Sequence, residues 1–219
     1  MSDLTLVIGN KNYSSWSLRP WLFLRLNNIP FSEIRVPLYG PESKASIMQH
    51  SPSGKVPLLH DGEFHVWDSL AICLHLIERF EPPHGWPADL LRRAEARSLV
   101  AEMHSGFTAL RSQLSMNCRR APKASPYDAA AAQDIARIDG IWTSCRERFA
   151  GEGPGLFGNW SIADAFYAPV VLRFDRYCLP CSAASRQYMD NVLALPALQE
   201  WVAAGSHESE RLEQFEVPD

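Results

Sequence analysis

Hydroxyls crowd one place in this sequence. Tyr13-Ser14-Ser15-Trp16-Ser17-Leu18-Arg19-Pro20-Trp21 comes shortly after the apolar run LTLVI (4–8), where a short strand must turn into a helix. A chain entering a helix presents unpaired N–H groups and the positive end of the helix dipole, and both favour an anion. Ser17 is placed to cap that helix, and Pro20 would fall in its first turn, where a missing N–H costs little. Ser14 and Ser15 are left over. Hydroxyls there suit holding a thiolate: a free thiol titrates near about 8.5, so neighbours that favour its charged form raise the reactive fraction at neutral pH. As plain structure, they are serines at a helix start.

Two further stretches carry similar chemistry. Ser51-Pro52-Ser53-Gly54-Lys55-Val56-Pro57-Leu58-Leu59 puts Pro57 at the start of a strand, which marks an edge or a special turn. A cis Val56–Pro57 bond would leave the Val56 N–H and C=O free for an extended peptide, but composition does not decide the isomer. Asp68-Ser69 opens a helix. Its N–H groups and the Ser69 hydroxyl would accept a carboxylate and Asp68 an ammonium; the same pair also reads as an ordinary N-cap. Cys178-Leu-Pro-Cys181 has redox-motif spacing but follows a helical stretch instead of opening a helix after a strand, as a redox motif would. It reads as two thiols near a helix exit.

The elements that must hold these residues alternate through the first eighty positions. Strands are expected at 4–8, 31–38, 56–60 and 63–66, the last two joined by the hairpin signal Asp61-Gly62. Helical stripes are expected from 18 to 26, 42 to 50 and 68 to 80. The order β-α-β-α-β-β-α makes a small α/β unit over residues 1–80. EPPHGWP (81–87) cannot continue a helix and is a linker. From 88 to 219 strand signals vanish: helical patterns run over 88–117, 127–149 and 161–177, with one or two more in 185–205. This is an all-α second domain.

The totals exclude several classes. The chain has 219 residues, a net charge of −4 and 46% hydrophobic residues, an ordinary globular composition without the basic footprint of a nucleic-acid binder. It has no secretory signal and no run of about 20 apolar residues for a membrane, so a cytoplasmic location is expected. Five cysteines, an odd number, argue against a disulfide framework, and seven scattered histidines argue against a metal enzyme. No G-x-S-x-G surrounds any serine, which disfavours a hydrolase.

Taken in order, these features resemble the glutathione transferases over essentially the whole chain. SPSGKVPLL is similar to that family's proline motif and WDSLAI to its acidic-serine motif; SIADA (161–165) matches its serine-x-x-aspartate capping box, a structural device that satisfies helix-start donors reciprocally. SSWSLR resembles the pattern of the serine-type zeta class, departing from it at Trp16, Pro20 and Trp21. The resemblance implies a thioredoxin-like N-terminal domain, a helical C-terminal domain, and glutathione as co-substrate with no metal. It implies Ser14 as the hydroxyl that stabilises the thiolate, Ser15 as the neighbour able to share or replace it, and Tyr13 as a rival used by other classes. It implies Val56, beside Pro57, pairing with the cysteinyl backbone, Asp68 and Ser69 on the γ-glutamyl end, and Lys55, assisted by Lys44, at the glycyl carboxylate. The electrophile would lie between the domains near Trp16, His104, Phe107 and the Met116–Arg120 region. Arg176 matches an arginine thought to bind acidic substrates in the zeta class, which makes maleylacetoacetate isomerisation an expectation beside conjugation. A homodimer is implied too. The competing expectations are a non-catalytic binding or regulatory module, a glutathione-dependent disulfide reductase, and a redox protein using Cys178 and Cys181.

Overall fold

The computed structural model describes residues 4–216; residues 1–3 and 217–219, the ends of the two expected domain ranges, lie outside the described residues. The N-terminal part runs β1 (Leu4–Ile8), α1 (Ser15–Leu26), β2 (Ser32–Arg35), α2 (Ser43–His50), β3 (Leu58–Asp61), β4 (Phe64–Val66) and α3 (Ser69–Phe80). This is the expected order. β1 is buried and central because four of its five side chains are apolar: Leu6, Val7 and Ile8 are fully buried and only Thr5 is half-buried. It pairs parallel to β2 and antiparallel to β3, and β4 closes the sheet in the order β2-β1-β3-β4. The parallel β1–β2 pair requires the α1 crossover, and Asp61-Gly62 turns the β3–β4 hairpin with Gly62 at φ 59°.

The helical part runs α4 (Leu90–Ser105), α5 (Thr108–Gln113), α6 (Ala129–Phe149), a 3₁₀ turn, α7 (Ile162–Arg176), α8 (Ala183–Leu193) and α9 (Pro196–Ser206). The pattern expected over 88–117 is not one helix. It breaks at Gly106-Phe107, where Phe107 takes left-handed backbone (φ 55°) and a Cβ on Gly106 would stand 2.7 Å from the Glu102 carbonyl. From Leu114 to Asp128 the chain is irregular. Helix α7 is the axis of the molecule: every residue from Ile162 to Phe174 is buried. Its start carries the expected capping box, with Ala163 N–H donating to Ser161 Oγ (3.3 Å) and Ser161 N–H to Asp164 Oδ2 (2.8 Å). The core is continuous between the two parts, because α1 packs against both α7 and α9 and the Trp21 and Trp201 rings meet at 5.1 Å.

Two expectations about the start of α1 are corrected. Ser14, not Ser17, is its N-cap, accepting from Ser17 N–H at 3.4 Å. The helix therefore begins three residues before Leu18, and Pro20 lies inside it. At that position Pro20 cannot donate to the carbonyl of Trp16, one turn back. Ser17 instead faces inward, its Oγ accepting from Gly9 N–H at 3.1 Å.

Candidate functional site

The segment between β1 and α1 is held from every side. Ser14 N–H and Tyr13 N–H both donate to the Asn10 carbonyl, and Asn10 Oδ1 accepts from Leu38 N–H at 2.7 Å. The Asn12 carbonyl and Oδ1 accept from the Cys118 and Arg119 N–H groups. Glu208 takes the N–H of Lys11 (2.7 Å) and of Asn12 (3.0 Å) on its two carboxylate oxygens, and Trp201 Nε1 donates to the Lys11 carbonyl. A loop with its own backbone groups so fully engaged places the serines after it at fixed positions. The sequence pattern alone does not reveal these supports, most of which come from the far end of the chain and from the segment after α5. Asn-Lys-Asn between a strand and a helix was the available signal, since short amides bridge turn backbones.

A cleft of about 890 Å³ opens over this helix start, between the sheet part and α5. Ser14, Ser15 and Trp16 line it from α1, Lys44 from α2, and Lys55, Val56 and Pro57 from the loop before β3; Asp68 and Ser69 line it from the start of α3. Every residue expected to bind glutathione thus faces one space. The Val56–Pro57 bond is cis, and so is Trp67–Asp68. Val56 makes no main-chain hydrogen bond among the described residues, so both its backbone groups are free toward the cleft. Ser69 Oγ is buried with no partner, an unsatisfied hydroxyl at the edge of the same space.

The hydroxyls are not equivalent. Ser14 is buried, and its Oγ–H donates to Ser17 Oγ at 2.8 Å. Ser15 is half-buried at the first helical position, and its hydroxyl makes no hydrogen bond among the described residues. Tyr13 has its hydroxyl committed elsewhere: it donates to Glu216 (2.5 Å) and accepts from Leu212 N–H (3.2 Å), tying down the segment after α9. Burial first, then Glu216, holds the Tyr13 pKa above its ordinary 10.0, so it is a poor source of charge. Phe215 from that segment packs near Tyr13 and Tyr39 and completes the cleft rim.

Asp68 divides its oxygens. Oδ1 caps α3 through Leu70 N–H (2.9 Å) and Ala71 N–H (3.4 Å), and Oδ2 meets His104 Nε2 at 3.0 Å. Burial pulls the His104 pKa below 6.5 although Asp68 opposes it. His104 therefore sits behind Asp68, edge-on to Trp16, and does not line the cleft. Phe107 is a core residue and not part of the wall. Arg176 lies away from the cleft, beside a small hollow between α7, α8 and α9, with Asp175 3.7 Å away. Of the Met116–Arg120 region only Met116 reaches the cleft; Arg119 instead donates to the carbonyls of Glu208 and Glu210. The wall opposite the sheet is made by Thr108, Arg111, Ser112, Ser115 and Arg173, which sequence patterning did not single out, because arginines at helical spacing look like solvated charge.

Cys178 is exposed and Cys181 half-buried beyond the end of α7; both are free thiols and neither lines the cleft. Among the described residues no three His, Cys, Asp or Glu side chains are grouped to hold a metal, and no helix is long and apolar enough to cross a membrane.

Comparison with known proteins fits this geometry. The sequence model described as glutathione S-transferase, N-terminal domain, matches residues 13–79. A glutathione transferase homolog from Burkholderia gl BGR1, solved with bound glutathione, superposes with a TM-score of 0.68 at 25% identity, over 93% of this chain and 97% of the other. The chain has the glutathione S-transferase fold. Among curated relatives, mouse glutathione S-transferase theta-3 is 38% identical over 94 residues, which span 42% of this chain and 38% of that protein. The chain thus matches well under half the length of the curated theta relatives. Arabidopsis glutathione S-transferase Z2 aligns more completely, over 86% of this chain and 88% of its own length, at 27% identity. FzlA from C. crescentus shares the fold at a TM-score of 0.71 and 21% identity. Sequence model, relatives and solved structures together make this chain similar to the glutathione S-transferases.

Proposed function

We propose that this protein is a glutathione transferase that activates the glutathione thiol for attack on a small electrophile. One observation carries the reading: the capping serine of α1, the free backbone of Val56 and the unpartnered Ser69 hydroxyl, from three separate segments, open onto one cleft. Glutathione would supply the nucleophilic sulfur. The Val56 N–H and C=O pair with its cysteinyl backbone. The Ser69 hydroxyl and the N-terminus of α3 take the γ-glutamyl carboxylate, Asp68 takes the ammonium, and Lys44 and Lys55 draw the glycyl carboxylate. Ser14 turns its Oγ–H from Ser17 toward the sulfur and holds it as thiolate, with the α1 dipole adding to the effect. The thiol proton is released to solvent as the thiolate forms; the carbon–sulfur bond then forms as the bond to the leaving group breaks, and that group departs with its electron pair. Addition to a conjugated double bond followed by elimination would give isomerisation on the same machinery, maleylacetoacetate included. The position of Arg176 outside the cleft weakens that case. The exposed apolar side chains of Phe64, Leu74, Leu90 and Leu91 support a homodimer, and the composition supports a cytoplasmic enzyme.

A second reading assigns the activating hydroxyl to Ser15. It is favoured by the Ser15 hydroxyl having no hydrogen-bond partner among the described residues, where Ser14 must first give up Ser17. Calorimetry of glutathione binding, combined with ultraviolet absorbance of the bound thiolate, separates the two in Ser14→Ala and Ser15→Ala. Failure of the wild type to bind glutathione at millimolar concentration would leave the fold as a non-catalytic binding module.

A further inference from the structure

The helical wall of the cleft carries more positive charge than any role in binding glutathione uses. Arg111, from α5, and Arg173, from α7, both line it. Arg19, from α1, is buried directly behind, its guanidinium carbon 4.1 Å from the Trp16 ring centroid and 5.0 Å from that of Phe166. The Arg111 guanidinium lies 4.9 Å from the same Trp16 ring, so one indole is shared by two cations.

The hydrogen bonds of these arginines are spent one-sidedly. Arg111 donates Nη1 to the carbonyls of Gly106 (2.8 Å) and His104 (3.3 Å), and its Nε and Nη2 make no hydrogen bond among the described residues. Arg173 donates Nε to Leu114 O and Nη1 to Pro169 O, both at 2.9 Å, and its Nη2 makes none. Arg19 leaves Nε and Nη1 buried without a partner. The carboxylates that act on the cluster are Asp134, on Arg111, and Asp68, on Arg19. Asp134 also accepts from Leu110 N–H, and Asp68 is divided between the α3 cap and His104. Burial, then repulsion from Arg111 and Arg173, brings Arg19 down to about 9, and burial followed by Arg111 brings Arg173 to about 10. Arg19 and Arg173 thus remain charged at neutral pH, and burial lowers Arg111 as well, opposed by Asp134.

The Nε–Nη2 edge left open on Arg111 is the fork that binds a carboxylate with two parallel hydrogen bonds. It stands on the wall across from Lys44, Lys55 and Ser69, with the Trp16 ring beside it. We infer that Arg111, backed by Arg173, forms the specificity subsite for the second substrate, and that this substrate is a planar or conjugated electrophile carrying a carboxylate. The carboxylate seats on the Arg111 fork and its unsaturated body lies against Trp16, which turns the reacting carbon toward the α1 N-terminus. Ser112, Ser115 and Thr108 supply hydroxyls around the anion, and Met116 an apolar boundary. The inference rests on the glutathione-transferase reading and deepens it by naming the substrate class.

The test uses unreactive probes, so it does not depend on finding the electrophile. Binding of 3-nitrobenzoate and of 3-nitrobenzamide is measured by calorimetry on wild type, Arg111→Gln and Arg111→Lys, with and without saturating glutathione; thermal unfolding confirms that each variant is folded. A charge-assisted bidentate contact predicts that wild type binds the benzoate about tenfold or more tightly than the amide. Arg111→Gln should lose that preference, Arg111→Lys should keep part of it, and the glutathione affinity should change little in either. The inference is overturned if wild type does not distinguish the probes, if Arg111→Gln keeps the preference, or if glutathione displaces the benzoate. Displacement would put the anion in the site of a glutathione carboxylate. Benzoate preference without any glutathione binding would sink the transferase reading and leave the anion subsite standing.

Discussion

Replacing Ser14 by alanine separates its structural from its chemical work, and the two have different magnitudes. Ser14 is 7% exposed, caps α1 through Ser17 N–H and donates to Ser17 Oγ at 2.8 Å. Loss of the cap costs about 1 kcal/mol and loss of the hydroxyl contact a similar amount. In a chain of this size about 1–2 kcal/mol lowers Tm by about 2–8 °C. Ser17 Oγ still accepts from Gly9 N–H, so no buried acceptor is stranded and the fold should survive. The chemical effect is larger. A hydrogen bond to a charged acceptor contributes about 1.5–3 kcal/mol, which corresponds to raising the pKa of the bound thiol by about 1–2 units. The assay is absorbance of enzyme-bound thiolate against pH, in wild type, Ser14→Ala and Ser15→Ala. The thiolate titration should move to higher pH in Ser14→Ala alone, and activity near neutrality should fall in parallel and recover as pH rises. An unshifted titration in Ser14→Ala would refute the assignment, and a shift confined to Ser15→Ala would transfer the role to its neighbour.

Stability should fall as pH drops below about 6.5, because burial holds His60 and His104 below that ordinary value and the unfolded chain then binds protons the folded one refuses. Urea midpoints between about pH 7 and pH 5 should show it, with a flatter profile in His60→Gln. Tyr13→Phe removes the hydroxyl that joins Glu216 and Leu212, so hydrogen exchange should quicken over residues 207–216 while the β1 amides stay protected. Gly205→Ala would place a Cβ 2.9 Å from Asn12 N and 3.0 Å from the Lys11 carbonyl carbon, backbone atoms that cannot swing aside. It should cost about 1–3 kcal/mol and weaken glutathione binding by displacing the loop before Ser14, both measurable in one denaturation and titration series. Cys178→Ser and Cys181→Ser should leave glutathione binding and turnover within about twofold, as surface changes away from the site usually do; loss of activity in either would revive the redox reading.

The sequence by itself determined the order of elements and the local devices. The apolar runs, the Asp61-Gly62 turn and the Ser161/Asp164 capping box all act within a few residues; the elements follow in the expected order, with strands β2 and β3 shorter than or shifted from the expected 31–38 and 56–60. The cleft residues Ser14, Val56 and Ser69 were legible for the same reason: they sit at chain turns whose backbone geometry is local. Tertiary structure decided the rest. Which serine caps α1 depended on Gly9 claiming Ser17, and the break at Gly106 depended on how tightly α4 crowds its own end. Tyr13 lines the cleft, but its hydroxyl is taken by a carboxylate from the far end of the chain. Arg176 and Arg173 are one helical turn apart on α7, yet one faces a hollow beside α9 and the other the cleft. Helical periodicity states which residues share a face; only the packing of α7 against its neighbours states what that face meets, and that contact is what turns a buried arginine into a candidate specificity residue.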